Sequence, residues 1–181
     1  MRSVSLFLLL LFPASGFGSP CESLTSLTIP DTTIASATSV PAGPLTVTGV
    51  RTPLAVPAFC RVLAVARPTP DSEIHFELWI PPLDSWNGKF EGTGNGGFSS
   101  ALSYGPMAQA LQHGYATAGS DTGHEGGDLK FGVGHIEKIN DWAYRAVHVM
   151  TDSSKLILRD YYGRFPQYAY FNGCSTGGHQ A

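Results

Sequence analysis

Gln167 to Asn172 reads QYAYFN and runs without a spacer into Gly173-Cys174-Ser175-Thr176-Gly177-Gly178. A short strand that is apolar on both faces belongs in the interior of a parallel sheet. A serine framed by glycines directly behind such a strand is the pattern of a sharp strand-to-helix turn. There the serine occupies a strained conformation, and the glycines let neighbouring backbone pass without Cβ atoms. This one junction constrains the chain more than any other feature: it demands an α/β architecture with parallel strands, crossover helices and a reactive edge at the strand ends.

The segments upstream supply the remaining parts. Leu45 to Val50 alternates, Phe59 to Ala66 is apolar and β-branched, and Ile74, Phe76, Leu78 and Ile80 share one face at period two. With Pro53, Pro57, Pro68, Pro70, Pro81 and Pro82 as punctuation, this stretch reads as an antiparallel β start. Lys89 to Glu91 is a short strand feeding a glycine-rich loop, Gly92 to Ser100, followed by a helix over Pro106 to Gln112. Tyr115 to Gly119 is a further strand, and Ser120 to Glu137 a long loop. Asn140 or Asp141 caps a helix whose apolar face is Trp142, Ala146, Val149, Met150, Leu156, Ile157 and Tyr161, and Gly163 ends it. Strand, crossover helix and strand make a right-handed parallel unit.

Residues 1–18 read as a signal peptide: Arg2, an apolar run from Leu6 to Phe12, and small residues that offer cleavage after Gly16 or Gly18. The apolar run is too short to span a bilayer. The expected mature chain, 19–181, is secreted, to the periplasm or beyond. Only 14% of residues are charged and the formal net charge is -3, without a basic run, so neither nucleic acid nor a membrane is an expected partner. Export permits disulfides, and Cys21 and Cys60 are expected to pair, tying the N-terminus to an early strand and leaving Cys174 over.

Ser175 is the expected nucleophile. The amide of Thr176 opens the following helix toward an oxyanion, and the second donor is expected from Gly96 and Gly97 in the glycine-rich loop. Gly92, Gly94 and Gly97 also match G-x-G-x-x-G, but antiparallel strands precede them and no ribose-binding acid follows at the right distance, which excludes a dinucleotide site. A serine nucleophile in this setting takes its acid and then its base from later in the chain. Of the six histidines, His75, His113, His124, His135 and His148 precede Ser175, and His179 lies one helical turn beyond it on an element pointing away. His148 is expected to pack or cap. Asp121, His124 and Glu125 have metal-binding composition with poor zinc spacing, so loop hydrogen bonding is their expected role. The catalytic acid and base are therefore expected to be absent from this chain, which is expected to stop after the elbow and to be inactive as an esterase on its own.

With these residues in place, the sequence resembles the tannase and feruloyl esterase family. The resemblance rests on Trp86-Asn87-Gly88-Lys89-Phe90, on Gly94-Asn95-Gly96-Gly97-Phe98, and on Gly114-Tyr115-Ala116-Thr117-Ala118 with Ser120-Asp121-Thr122-Gly123-His124. It continues through Asp141-Trp142-Ala143-Tyr144-Arg145-Ala146-Val147-His148 and Tyr170 to Gly178. It implies the N-terminal portion of an α/β-hydrolase that cleaves esters of hydroxybenzoic or hydroxycinnamic acids, drawn from small aromatic esters or plant polyphenol and polysaccharide esters. It also implies a disulfide from Cys174 to a cysteine after the catalytic histidine, whose partner is missing here. Of cofactors it implies none in this chain, and calcium in a lid domain outside it. A lipase or peptidase on the same fold, an inactive fragment and a non-catalytic carbohydrate- or partner-binding domain are the competing readings.

Overall fold

The computed structural model describes residues 19–181; the expected signal peptide lies outside the described residues. After a 3-10 turn at Cys21–Ser26, the strands are β1 (Thr32–Val40), β2 (Gly43–Leu45), β3 (Leu54–Val56), β4 (Phe59–Ala66), β5 (Ile74–Ile80) and β6 (Lys89–Thr93). Helix α1 (Tyr104–Gln112) leads to β7 (Ala116–Ser120). Helices α2 (Ile136–Asn140) and α3 (Ala146–Tyr162) flank a π turn, and β8 (Tyr168–Asn172) and α4 (Thr176–His179) complete the chain.

Six strands form one sheet in the order β1-β4-β5-β7-β6-β8. The pairs β1–β4, β4–β5 and β5–β7 are antiparallel, whereas β6 is parallel to both β7 and β8. This confirms the expected division into an antiparallel start and a parallel strand-helix-strand unit. The chain passes from β6 through α1 to β7 on one side, then crosses back to β8 on the other, so the carboxyl ends of β6 and β8 flank the point where strand order reverses. Ligands of open α/β sheets bind at such a crevice.

The sheet has a different apolar layer on each face. One holds Val62, Ala64, Ile74, Phe76, Leu78 and Ile80 against Met150, Ile157 and Leu158 of α3. The other holds Phe59 and Trp79 against Met107, Ala108 and Leu111 of α1 and the β2–β3 hairpin. Cys21 and Cys60 form a disulfide, as expected, which anchors the N-terminal turn to β4. Trp86 stacks on Tyr162 with ring centroids 3.8 Å apart, and the Tyr162 hydroxyl donates to the Pro81 carbonyl, fixing the end of α3 beneath β5.

Two expectations need correction. The strand expected over Leu45 to Val50 ends at Leu45, because the chain turns and Gly49 takes φ +83°. No cap forms at Asn140 or Asp141: helical backbone already begins at Ile136 and continues through the π turn Asp141–Arg145. Asp141 points inward, fully buried, and meets Arg145 at 3.1 Å instead of closing a helix end. Among the described residues β8 pairs only with β6, so Tyr168 and Tyr170 stand on an exposed apolar edge. Gly163 does end α3, at φ +71°.

Candidate active site

Strand β8 delivers Asn172 to the carboxyl edge of the sheet, and the next three residues reverse the chain into α4. Ser175 sits at φ +57°, ψ -120°, a region that non-glycine residues leave unless their surroundings enforce it, at a cost of roughly 1–3 kcal/mol. The enforcement is local. A Cβ on Gly173 would collide with the carbonyl of Gly177, so the two glycines of the motif touch backbone to backbone under the serine. A Cβ on Gly177 would in turn lie 2.8 Å from the Asn95 carbonyl. The motif glycines are thus required by contact on both sides of α4.

The glycine-rich loop after β6 lies against the same turn. Gly94 continues the ladder by donating to the Asn172 carbonyl at 2.9 Å, and its missing Cβ makes room for the Gly177 Cα at 2.6 Å. The loop is organised from within by Asn95, which is buried. Its side-chain amide donates to the carbonyls of Ser99 (3.2 Å), Ala101 (3.1 Å) and Ser120 (2.9 Å). Its backbone N–H donates to Oε1 of Gln180 at 3.1 Å. Gly96 and Gly97 follow, exposed, with Gly97 at φ +57°. The N–H groups of Thr176, Gly96 and Gly97 donate to no group among the described residues. The Thr176 amide follows the strained serine directly, and the loop that carries Gly96 and Gly97 meets the same turn through Gly94 and Asn95; unpaired amides on two such segments can receive a developing oxyanion.

Histidines do not reach this serine. His75 Nδ1 pairs with Asp121 at 2.8 Å, and Asp121 also accepts from the backbone N–H of His75 and of Gly123. Burial raises the Asp121 pKa above its usual value, opposed by the Gly123 N–H and by His75. This dyad lies at the β5 and β7 ends, His75 three strand spacings and Asp121 two from β8, or about 14 and roughly 10 Å, beyond hydrogen-bond range of Ser175. His124 is buried, with Nε2 on the Phe98 carbonyl at 2.9 Å, its ring on Phe131 and Thr122 beside Nδ1, which is the loop-bonding role expected of it. Glu125 is exposed. His148, expected to pack or cap, is exposed on α3 with an edge contact to Tyr144. His179 is exposed, and its backbone N–H donates to the Ser175 carbonyl. Cys174 is a free, exposed thiol. Among the described residues no cluster of three or more His, Cys, Asp or Glu side chains is arranged to hold a metal.

Two site residues escaped the sequence reading, Asn95 and Gln180. Asn95 had a signal, being the one residue with a side-chain amide within Gly92 to Gly97. Gln180 had a weaker one: helical side chains lean toward the N-terminus, so a polar residue one turn after Thr176 points back at the loop.

Comparison with known proteins places this geometry. Residues 60–181 match the family model described as tannase and feruloyl esterase. An uncharacterized esterase of Xanthomonas campestris pv. campestris is 44% identical over 163 residues, covering 89% of this chain and 28% of the relative. A probable feruloyl esterase B-1 of Aspergillus oryzae is 33% identical, covering 92% of this chain and 32% of its own. The crystal structure of feruloyl esterase B from Aspergillus oryzae superimposes with a TM-score of 0.82 at 33% identity, covering 88% of this chain and 32% of that one. The chain thus spans about a third or less of the length of these relatives.

Proposed function

Because the chain belongs to the tannase and feruloyl esterase family, we propose that Ser175 is the nucleophile of a secreted carboxylic ester hydrolase acting on esters of hydroxybenzoic or hydroxycinnamic acids. The observation that carries this reading is the strained Ser175 between β8 and α4, with the Thr176 amide unpaired beside it. Ser175 Oγ attacks the ester carbonyl, and the negative charge that develops on the carbonyl oxygen is met by the amides of Thr176 and of Gly96 or Gly97. Collapse of the tetrahedral intermediate releases the alcohol, which takes up the proton that Ser175 gives up, and leaves an acyl-enzyme that water hydrolyses to the carboxylic acid, restoring the Ser175 hydroxyl. We assign the general base and acid to none of residues 19–181.

Export is supported by the Leu6 to Phe12 apolar run behind Arg2 and by the Cys21–Cys60 disulfide, a bond that persists in oxidising compartments. No helix among the described residues is long and apolar enough to cross a membrane. The aromatic acyl preference rests on the feruloyl esterases among the relatives.

The test is turnover of methyl ferulate and methyl gallate by a full-length protein that carries this chain, as wild type and as Ser175→Ala. Loss of a nucleophile that acts in concert with a base lowers kcat by about 10⁴-fold or more. Near-wild-type turnover by Ser175→Ala would refute the assignment.

A further inference from the structure

Gln180 makes a contact that packing alone does not require. Its side chain comes from the last turn of the chain, yet its Oε1 accepts the N–H of Asn95, 85 residues away at the start of the glycine-rich loop. Oε1 would also lie 2.9 Å from a Cβ on Gly94, so the amide fills the place that a larger residue at 94 would take. Gln180 is buried, and its Nε2 makes no hydrogen bond, so the acceptor is the only polar function that the side chain performs among the described residues.

The two amide sources of the proposed oxyanion site lie on different segments. Thr176 opens α4, and Gly96 and Gly97 sit on the loop after β6. Their spacing depends on whatever joins those segments. The glycine contacts of Gly94 and Gly177 set how closely they approach, but a glycine contact carries no direction. The Gln180–Asn95 hydrogen bond does: it turns the Asn95 N–H toward α4, while the Asn95 side chain holds the carbonyls of Ser99, Ala101 and Ser120 and so fixes the loop on its other side. With Asn95 held at both ends, the next two amides, Gly96 and Gly97, are the first along the loop that remain unpaired. A buried N–H left without an acceptor is costly, so without Gln180 the peptide at Asn95 would rotate and carry these amides with it.

We propose that Gln180 is a positioning residue: it clamps the glycine-rich loop to the nucleophile helix through the Asn95 N–H and thereby sets the distance between the two oxyanion donors. The clamp rests on the function proposed above for Ser175. It stabilises the transition state more than the bound ester, because the oxyanion forms only as the carbonyl becomes tetrahedral.

The experiment compares, in a full-length protein that carries this chain, Gln180→Met, which keeps the side-chain volume and removes the acceptor, with Gln180→Glu, which keeps an acceptor oxygen. In Gln180→Met, hydrogen exchange at the Asn95 amide should accelerate by about tenfold or more, and kcat for methyl ferulate should fall about 100-fold, the size of a lost oxyanion donor. KM should stay within about twofold and the melting temperature near wild type, because the ground-state ester and the core do not use the clamp. Gln180→Glu should restore protection at Asn95. The proposal is overturned if Asn95 exchange in Gln180→Met matches wild type, or if kcat is unchanged. It is equally overturned if activity and melting temperature fall together and Gln180→Glu recovers neither protection nor rate. A full-length protein carrying this chain that turns over no ester defeats the Ser175 reading instead, and the exchange data, which need no catalysis, tell the two failures apart.

Discussion

Strands β5 and β8 occupy the same sheet and differ in almost every physical respect. In β5 every residue but His75 is buried, both faces are covered by apolar layers, and Glu77 is saturated by Arg61, Trp79 and Tyr104. That burial, with the Glu77 carboxylate alongside, pushes the Tyr104 hydroxyl pKa to about 12. In β8 most side chains are exposed, one neighbour supplies all the pairing among the described residues, and the chain reaches a strained backbone at Ser175 three residues after the strand ends. The antiparallel half is where stability is stored, and the parallel edge is where strain is held for chemistry. Strain of a few kcal/mol at Ser175 is tolerable because the packed half over-determines the frame that carries it.

This division separates two kinds of mutational effect, the largest first. Gly173→Ala places a methyl group against the Gly177 carbonyl, so the elbow cannot close; serine-directed labelling by a fluorophosphonate should vanish while the denaturation midpoint barely moves. A large loss of stability together with retained labelling would reverse the division. Replacing Cys21 and Cys60 by serine should do the opposite. The bridge closes 39 residues of sequence, worth about 4 kcal/mol on the chain-entropy account, and chemical denaturation should record that loss while the elbow keeps its labelling rate. The smallest effect concerns Asp141, whose carboxyl burial holds above the ordinary aspartate value of 3.8. Its folded form retains the proton longer than its unfolded form, so stability falls as pH rises from that value through the raised folded one. Asp141→Asn removes the fall, and denaturation curves of the two proteins should diverge with rising pH across that window. Parallel curves would show that Asp141 is not penalised by burial.

What could be read from the sequence follows the same line. Strands β4 and β5 are legible to the residue because β4 is an apolar, β-branched run and the apolar residues of β5 alternate at period two on one face. β1 was not, since TTIASATSV offers little apolar patterning and becomes a strand by pairing along β4, with a register shift between Ile34 and Ser36. The π turn was hidden because buried Asp141 is the kind of residue that caps helices, and only the tertiary setting turns it inward. Of the site, Ser175, Thr176 and the glycine loop follow from local motifs, each set by neighbours a few residues away. The Gln180 bond to Asn95 spans 85 residues, and no local pattern announces a contact of that range.

The central claim is that the elbow makes Ser175 a nucleophile. The most direct measurement is peptide mapping of a full-length protein that carries this chain after reaction with a fluorophosphonate. The account predicts one adduct, on Ser175, in the peptide that also carries Cys174, and no adduct in Ser175→Ala. A protein that stays unmodified, or an adduct on another serine that persists in Ser175→Ala, would contradict it.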